Sequence, residues 1–432
     1  MDPEDRPPAP PDADRPARGR LRRLAIDLRP LRYRNFRRLW LGQAVSLFGS
    51  WITFVAIPFQ MYELTGSTLA VGLIALAELV PLLTLSIVGG AIADAVDRRR
   101  LLLVTELGLV GCSLALAANS ALGEPRVWAL YALAFVTTAF GALGWPALRS
   151  LTPRLVPEDQ LAAATLLNSA YNSLAAVGGP ALGGILIASI GLTATYLVDV
   201  ATFAASLAAI WLLPSIAPHA TAQRASLKTM REGFRFVLRN KVILGIFLLD
   251  TNAMVFGMPS ALFPALAEHR YGGGAHVLGV LYAAPYAGAL ATTLVSGWVS
   301  HVRRQGLAVA IAAALWGLAI LLFGFAETLW LGLVLLAFAG AADNISAALR
   351  SAIVLAATPD EMRGRVSGIE LAQVASAPTL GNVEAGVVAS ITSLRFSIVS
   401  GGIACIVGTV VILAALPQLL RYDARHPRDE AG

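Results

Sequence analysis

Charged residues are scarce in this 432-residue chain, where Asp, Glu, Lys and Arg together make up 14% of the sequence. An ordinary soluble domain contains about 25%. Hydrophobic residues reach 56%, which is enough to fill about twelve membrane spans of about 20 residues each. These proportions exclude a soluble globular enzyme, a disordered chain and a secreted disulfide scaffold.

Cysteine, histidine and lysine are also rare. Cys112 and Cys405 lie in apolar segments without metal-ligand spacing, so the sequence predicts neither a disulfide framework nor a metal site. The five histidines form no metal-binding or catalytic pattern, and neither Lys228 nor Lys241 ends a glycine-rich nucleotide loop. We therefore predict a chain that is not an enzyme and that holds no cofactor. The sequence therefore contains no site for a nucleotide as an energy source.

Twelve stretches with few or no charges are long enough to cross a bilayer as helices, and they lack the alternating pattern of membrane strands. They cover residues 39–62, 67–93, 101–122, 127–148, 161–190, 192–214, 242–267, 277–300, 305–326, 328–349, 366–390 and 396–420. The sequence therefore predicts an all-α integral membrane fold with twelve transmembrane helices.

The basic residues are distributed unevenly between the connections. With the N-terminus placed inside, all 33 lysines and arginines except Arg126, Arg270 and Arg395 fall on the side that holds both termini. Positive charge accumulates on the cytoplasmic side of membrane proteins, so both termini are predicted to be cytoplasmic. The net charge of +6 is explained by this orientation and does not require nucleic acid as a partner.

Two blocks of six spans, residues 39–214 and 242–420, are separated by a linker at 215–241. Residues 1–38 form a basic tail that we predict to be disordered and cytoplasmic, and residues 421–432 form a short cytoplasmic tail. Apolar residues recur in the linker at helical spacing, which predicts an amphipathic helix on the inner leaflet. The alternative is a solvated linker with a chance stripe. The stripe consists of Leu227, Met230, Phe234, Val237 and Leu238.

The two blocks repeat short motifs in the same order. Ala-Leu-Arg-Ser occurs at 147–150 and at 348–351, and each copy is followed by a turn with proline and acidic residues. Gly-x3-Asp at 90–94 is matched by Gly-x3-His at 297–301. Two parallel six-helix repeats are typical of transporters that work by rocking two halves around a central site.

Several motifs resemble those of a known family. Residues 90–100, Gly-Ala-Ile-Ala-Asp-Ala-Val-Asp-Arg-Arg-Arg, resemble the major facilitator signature Gly-x3-Asp-Arg-x-Gly-Arg-Arg, with alanine and aspartate in place of its first Arg and second Gly. Residues 179–184, Gly-Pro-Ala-Leu-Gly-Gly, resemble the Gly-Pro motif of the antiporter branch. Residues 262–267, 278–285 and 358–365 are similar to the enterobactin exporter family, and macrolide efflux pumps are more distant relatives.

The resemblance covers about residues 31–420 and implies the major facilitator fold in a bacterial inner membrane. It also implies proton-driven export of a small amphipathic molecule, siderophore-like or drug-like. An importer or lipid flippase on the same fold remains open, as does a membrane sensor or scaffold that transports nothing. The expected partners are the substrate, protons and the bilayer, without nucleic acid, and we expect a monomer.

Seven acids lie within the predicted spans, although carboxylates are costly in hydrocarbon. No Lys or Arg is predicted near a span centre to pair with them. Glu106 and Asp199 are attributed to hydrogen bonding between helices. Spans 7, 10 and 11 border the cavity in the superfamily, which favours the acids on those spans. The proton-coupling candidates are Asp250, Asp343, Glu370, Glu78 and Glu384.

Polar side chains at helical spacing are candidates for lining the substrate cavity, and ordinary interhelical hydrogen bonding is the alternative. They are Gln43, Ser46, Asn168, Tyr171, Asn172, Asn252, Tyr282, Tyr286, Asn344 and Gln373. The resemblance also implies a cytoplasmic gate, in which the Asp ending span 2 contacts the start of span 11 and an Arg closing span 4. The gate residues are Gly90, Asp94, Arg98, Arg99, Arg149, Gly364 and Arg365. The antiporter-like motif consists of Gly179, Pro180, Gly183 and Gly184.

Overall fold

A computed structural model describes residues 27–214 and 227–423, and every regular element in these ranges is helical. The first half contains α1 (Arg34–Thr65), α2 (Thr68–Ala95), α3 (Arg98–Ser120), α4 (Val127–Leu155) and α5 (Leu161–Trp211). Helix α6 (Leu227–Arg239) precedes the second half. The second half contains α7 (Lys241–Phe256), α8 (Gly274–Leu294), α9 (Gln305–Phe323), α10 (Leu329–Ala357), α11 (Asp360–Ile391) and α12 (Leu394–Ala415).

Side chains at the helix starts satisfy backbone N–H groups that have no partner within the helix. Ser67 accepts a hydrogen bond from the amide of Ala70 before α2, and Asp97 accepts one from the amide of Arg99 before α3. Asn240 accepts two before α7, and Ser393 accepts one before α12. These caps fix where several spans begin.

Helix α5 contains two spans that fold back on each other. Its 51 residues would extend about 76 Å if straight, more than twice the thickness of a bilayer core. Gly191 interrupts it with φ 80° and ψ 169°, a backbone conformation that glycine adopts without steric cost. On either side of Gly191, the first limb packs Gly183 against Ile52 and the second limb accepts a hydrogen bond from Thr53 at Asp199. The two limbs are therefore antiparallel, as the predicted spans 161–190 and 192–214 require.

Helix α7 continues in short irregular pieces to the end of its span. A 3-10 turn at Ser260–Leu262, a helical turn at Phe263–Ala265 and a π-helical turn at Leu266–Arg270 follow it. Non-helical backbone is tolerated at membrane depth where protein surrounds it. Leu262, Phe263 and Leu266 are buried, so the break lies inside the protein.

Ten of the described helices or helical runs are long and apolar enough to cross a membrane. The α5 run counts once among these ten although it contains two spans, and the 32-residue α11 is not among them because it is more polar. The architecture is therefore an all-α integral membrane fold that is consistent with the predicted twelve spans.

The ordered structure begins earlier than the sequence predicted. Residues 29–32 form a 3-10 turn, and α1 starts at Arg34, within the predicted disordered tail 1–38. Phe36 is buried against Val156 and Leu167, which explains why helical structure continues to this point. Residues 1–26 of that tail lie outside the described residues.

Helix α6 forms within the predicted linker, whose residues 215–226 are outside the described part of the chain. It packs against α7 and α11 and buries Val237 in a cluster with Ile243 and Val366. Glu232 forms an ion pair with Arg365 of α11 at 3.0 Å. Phe234 and Leu238 are exposed. Within the predicted apolar stripe, Val237 thus packs on protein, whereas Phe234 and Leu238 remain exposed.

The two halves meet through α5 with α8 and through α2 with α11. We call the end of the bundle where α1 begins and α12 ends the termini end, and the opposite end the far end. The close approaches lie toward the far end, where Gly184 of α5 faces Gly279 of α8 and Gly72 of α2 faces Asn382 of α11. A Cβ on Gly184 would lie 2.9 Å from the Cα of Gly279, so only glycine permits this backbone contact.

Candidate functional site

Two adjoining pockets on the termini side of these contacts form what we call the central cavity, and both are lined by Leu47, Trp145, Asn172 and Ser173. The larger part, about 710 Å³, is lined by the first half alone and extends from Phe36 and Leu161 to Asn172. A second part of about 520 Å³ continues from Asn172 to Tyr286 and Asn344 of the other half. Such volumes are typical of sites that bind small molecules. Residues from α1, α4 and α5 therefore share one cavity with residues from α8 and α10.

The walls of the central cavity are rich in aromatic rings. Trp145 lines both parts, and the guanidinium of Arg149 lies over its ring at 4.6 Å. The ring of Trp51 contacts that of Tyr286 across the two halves at 4.9 Å. These rings present flat apolar surfaces with a cation at one side. The arrangement suits an amphipathic ligand that contains rings.

Six of the ten predicted cavity residues line this space. Gln43, Asn168, Tyr171 and Asn172 line the larger part, and Asn172, Tyr286 and Asn344 line the second. Several of these amides already bond protein groups. Asn172 donates to the carbonyl of Asn168 at 2.7 Å, and Asn344 donates to the hydroxyls of Thr292 and Thr293 at 3.0 Å.

The other four predicted cavity residues are held within the protein. Asn252 donates to the carbonyl of Cys405 on α12 at 2.8 Å, so its amide connects two helices of the second half. Tyr282 is buried and donates to the carbonyl of Ser260 at 3.1 Å. Ser46 is buried beside a smaller pocket within the first half, and Gln373 bonds to Asp250. For Asn252 and Tyr282, the alternative interpretation, interhelical hydrogen bonding, describes the structure.

The expectation that no arginine lies near the intramembrane acids is wrong. Arg350 lies within α10, seven residues before its end, and its Nη1 is 2.5 Å from Oδ1 of Asp250 and 3.6 Å from Oδ1 of Asp343. Gln373 of α11 donates to Oδ2 of Asp250 at 3.0 Å. We call Asp250, Asp343, Arg350 and Gln373 the Arg350 network. It connects α7, α10 and α11, and Asp250 is not an unpaired carboxyl.

The two acids of the Arg350 network differ in their exposure. The side chain of Asp250 is 4% exposed, whereas that of Asp343 is 35% exposed. Asp343 precedes Asn344, which lines the second part of the central cavity. One guanidinium cannot neutralise two ionised carboxylates, so the network carries one excess negative charge when both acids are ionised.

The three other coupling candidates lie apart from one another. Glu370 lies on α11, three residues before Gln373 of the Arg350 network. Glu78 lies on α2, and Glu384 lies on α11 toward the far end. Among the described residues, no ion pair involves any of these three carboxylates.

Glu106 and Asp199 form hydrogen bonds between helices, as predicted. Asp199 is fully buried and accepts from Thr53 at 2.6 Å, Ser113 at 2.7 Å and Thr202 at 3.2 Å. Oε1 of Glu106 accepts from Gln43 and Ser206, both at 2.9 Å. These bonds hold α1, α3 and α5 together.

The predicted gate residues are distributed along the termini end. Gly90 and Asp94 lie in the last part of α2, and the side chain of Asp94 is outside what the structure describes. Arg99 donates to the carbonyl of Trp211 at 2.6 Å, and Arg98 is buried at the start of α3.

The other three gate residues lie on different helices. Arg149 is inside α4 and lines the central cavity, so it does not close the span as predicted. Arg365 of α11 pairs with Glu232, and a Cβ on Gly364 would meet no atom within 4 Å. Arg149 and Arg365 therefore have partners other than Asp94 in this conformation.

The antiporter-like motif lies on the first limb of α5, where three of its glycines face other helices. Gly179 packs against Trp51 and Gly183 against Ile52 of α1, and Gly184 packs against Gly279 of α8. Pro180 directly follows Gly179, and its backbone carbonyl lies beside Gly279. The motif thus allows close packing within the first half and between the halves.

Sequence reasoning missed Trp145, Trp51 and Arg350 as site residues. Helical spacing is the signal for Arg350, because Asp343, Ser346 and Arg350 share one face of α10, and Arg350 lies 3.2 Å from the hydroxyl of Ser346. The tryptophans carry no such signal, since an apolar ring in a span is equally suited to lipid or to a cavity.

Comparison with known proteins identifies the family. A model of the transmembrane secretion effector family matches residues 25–429. The chain is 30% identical over 401 residues to the enterobactin exporter EntS of Shigella boydii serotype 18, covering 92% of this chain and 95% of the relative. The enterobactin exporter EntS of Escherichia coli O1:K1 shows the same identity and coverage.

Solved structures support the fold alone. The nucleoside transporter NupG superposes with a TM-score of 0.70 at 12% identity, covering 90% of this chain and 100% of that one. A POT family transporter in complex with 5-aminolevulinic acid superposes with a TM-score of 0.72 at 14% identity, covering 89% and 96%. The chain belongs to the transmembrane secretion effector family, and it is a multi-pass membrane efflux transporter of a small molecule with the major facilitator fold, not an enzyme.

Proposed function

We propose that this chain exports a siderophore-like or drug-like amphipathic molecule from a bacterial cell by alternating access and proton antiport. The observation that carries the proposal is the central cavity, which is shared by both halves and lies on one side of their glycine contacts. A substrate site at the interface of two repeats is the arrangement that rocking halves require. The enterobactin exporters among the relatives favour a siderophore-like substrate.

The direction of export follows from the orientation that we propose. Both termini and α6 are placed in the cytoplasm, since the basic residues are concentrated at that side. The central cavity then faces the cytoplasm, and the contact of Gly184 with Gly279 closes the external side. This is the inward-facing state of an alternating-access cycle, in which an exporter takes up its substrate.

The Arg350 network supports proton coupling, with Asp343 as the carrier. Asp250 is buried against the fixed charge of Arg350, so that pair is close to neutral. Asp343 is more exposed than Asp250 and precedes Asn344, which lines the cavity, so we infer that a proton from water reaches it from that side. A single proton on Asp343 removes the excess negative charge. Glu370 is the next candidate, and Glu78 and Glu384 follow.

Reconstituted vesicles test this proposal. We expect Asp343→Asn to abolish uphill accumulation of substrate driven by an imposed pH gradient, because the variant has no carboxyl to protonate. Downhill equilibration should persist, because the cavity remains. Glu124→Gln, an exposed acid in the α3–α4 connection, is the matched control. If Asp343→Asn still accumulates substrate against a gradient, Asp343 does not carry the proton.

The same vesicles test the direction and the class of function. In right-side-out vesicles loaded with substrate, an acid-outside gradient should drive the substrate out of the lumen, because antiport moves substrate against the direction of proton flow. Accumulation of substrate under the same gradient would favour a proton-coupled importer, and no movement would favour a sensor or scaffold. Transfer of a labelled phospholipid between leaflets would favour a flippase.

A further inference from the structure

A smaller pocket branches from the central cavity into the first half. It has a volume of about 250 Å³ and lies between α1, α3, α4 and the second limb of α5. Leu47 and Trp145 line it together with both parts of the central cavity. A ligand in the central cavity can therefore place one group in this side pocket.

The walls of the side pocket are mostly apolar. Phe140, Phe203, Leu102 and Leu109 line it, and they offer surfaces for a ring. A cavity of about 150 Å³ lined by apolar side chains binds benzene. The side pocket is larger, so one six-membered ring with a short substituent fits.

A carboxylate oxygen without a hydrogen-bond partner lies at this pocket. Glu106 is 6% exposed and lines the pocket. Its Oε1 is occupied by Gln43 and Ser206, but its Oε2 is buried and accepts no hydrogen bond among the described residues. The neighbouring Asp199 differs, because three hydroxyl groups donate to its carboxylate.

A buried carboxylate oxygen without a donor is costly, and most native structures avoid it. No ion pair within 27–214 or 227–423 involves Glu106. A positively charged donor beside Oε2 would complete the hydrogen bonding of this carboxylate. A primary ammonium supplies both the charge and up to three N–H donors.

We propose that the side pocket is a binding subsite for a ring that carries a protonated amine, with the ammonium donating to Oε2 of Glu106. The inference rests on the proposed function in that the central cavity holds the substrate. It adds that Glu106 in the first half selects substrates with a cationic ring substituent. The Arg350 network, in the second half, takes no part in this selection.

Equilibrium binding to the full chain in nanodiscs tests this proposal without any gradient. The probes are benzylammonium, neutral benzyl alcohol and anionic benzoate, measured by calorimetry against empty nanodiscs. We expect benzylammonium to bind the wild type at least about tenfold more tightly than benzyl alcohol, as expected for a hydrogen bond to a charged group. Glu106→Gln should remove this preference, because it keeps the acceptor for Gln43 and Ser206 but loses the charge.

A second variant tests the pocket without changing Glu106. A Cβ on Gly141 of α4, which lines the pocket, would meet no atom within 4 Å. We therefore expect Gly141→Leu to fold, to fill the pocket and to weaken benzylammonium binding at least about tenfold. The matched controls are Gly111→Leu, at an exposed position of α3 with equal space, and Glu124→Gln.

Unchanged binding in Gly141→Leu, or an ammonium preference that survives Glu106→Gln, would overturn the proposal. Equal binding of benzyl alcohol and benzylammonium to the wild type would overturn it too. Failure of uphill transport in vesicles alters none of these outcomes, so the subsite and the proton coupling are tested separately.

Discussion

The ion pair between Asp250 and Arg350 should couple the stabilities of two helices, and a double-mutant cycle measures that coupling. The variants are Asp250→Asn, Arg350→Gln and the double variant. Each replaces a charged group by a neutral amide, which matches Asp250 in size and is shorter than Arg350. Breaking a buried ion pair from one side costs about 3–5 kcal/mol, because the remaining charge has no partner.

The two single variants should differ because Arg350 has a second acid within reach. After Asp250→Asn, the guanidinium keeps Asp343 as a partner at 3.6 Å. We therefore expect the free energy of unfolding to fall by about 3 kcal/mol, the lower limit for a broken buried pair. After Arg350→Gln, Asp250 and Asp343 face each other without a counter-charge, so the loss should approach about 5 kcal/mol. Protonation of one acid at low pH relieves part of that repulsion.

The double variant leaves two neutral amides, which can hydrogen-bond each other. We therefore expect the double variant to lose less free energy of unfolding than the two single variants lose together. The difference should be about 2–3 kcal/mol, at the upper end of measured coupling energies. The assay is reversible unfolding of the purified protein by denaturant, at pH 5.5 and at pH 8. Additivity within about 0.5 kcal/mol would refute the pair, as would an Arg350→Gln variant that is equally unstable at both pH values.

The remaining predictions concern orientation and the gate. In a cysteine-free background, a cysteine at Gly123 should react with an impermeant reagent from outside intact cells, and one at Ala222 should react only after permeabilisation; the reverse pattern contradicts the proposed orientation. Asp94→Asn should slow transport and increase the inward-facing population, because the carboxylate that would hold the start of α11 when the termini end closes is lost. Spin-label distances between Val96 and Gly364 report that population, and unchanged distances with normal transport would make Asp94 an ordinary surface residue.

The fold could be predicted from the sequence because hydrocarbon imposes a simple rule on composition. A span must be apolar over about 20 residues, and the predicted boundary at residue 191 coincides with the turn at Gly191. The rule does not say where a helix ends. The apolar run stops at 349, which leaves Arg350 outside the predicted span 328–349, but α10 continues to Ala357.

The candidate site was less predictable because a helical face does not identify its neighbour. Asn252 and Tyr286 both have the polarity expected at a cavity, yet Asn252 faces α12 beside Gly408 and Tyr286 faces the central cavity. Which face of a helix lines the cavity depends on how that helix is rotated in the bundle, and a single sequence does not contain that information. The surroundings of a buried acid were easier to predict. A carboxylate such as that of Asp199 requires hydrogen-bond donors when it is buried, and hydroxyl groups from three helices provide them.

The backbone contact between Gly184 and Gly279 has a consequence for how transport rates can change. At this point the halves touch through Cα atoms, so there are no interlocking side chains to separate when they roll apart. A methyl group added at Gly184 would push the two halves apart at the closed end. It would therefore favour the state in which the cavity opens on the opposite side. Substitutions selected for faster or slower turnover should therefore collect at this contact, outside the residues that line the central cavity, and should change the apparent affinity only through the populations of the two orientations.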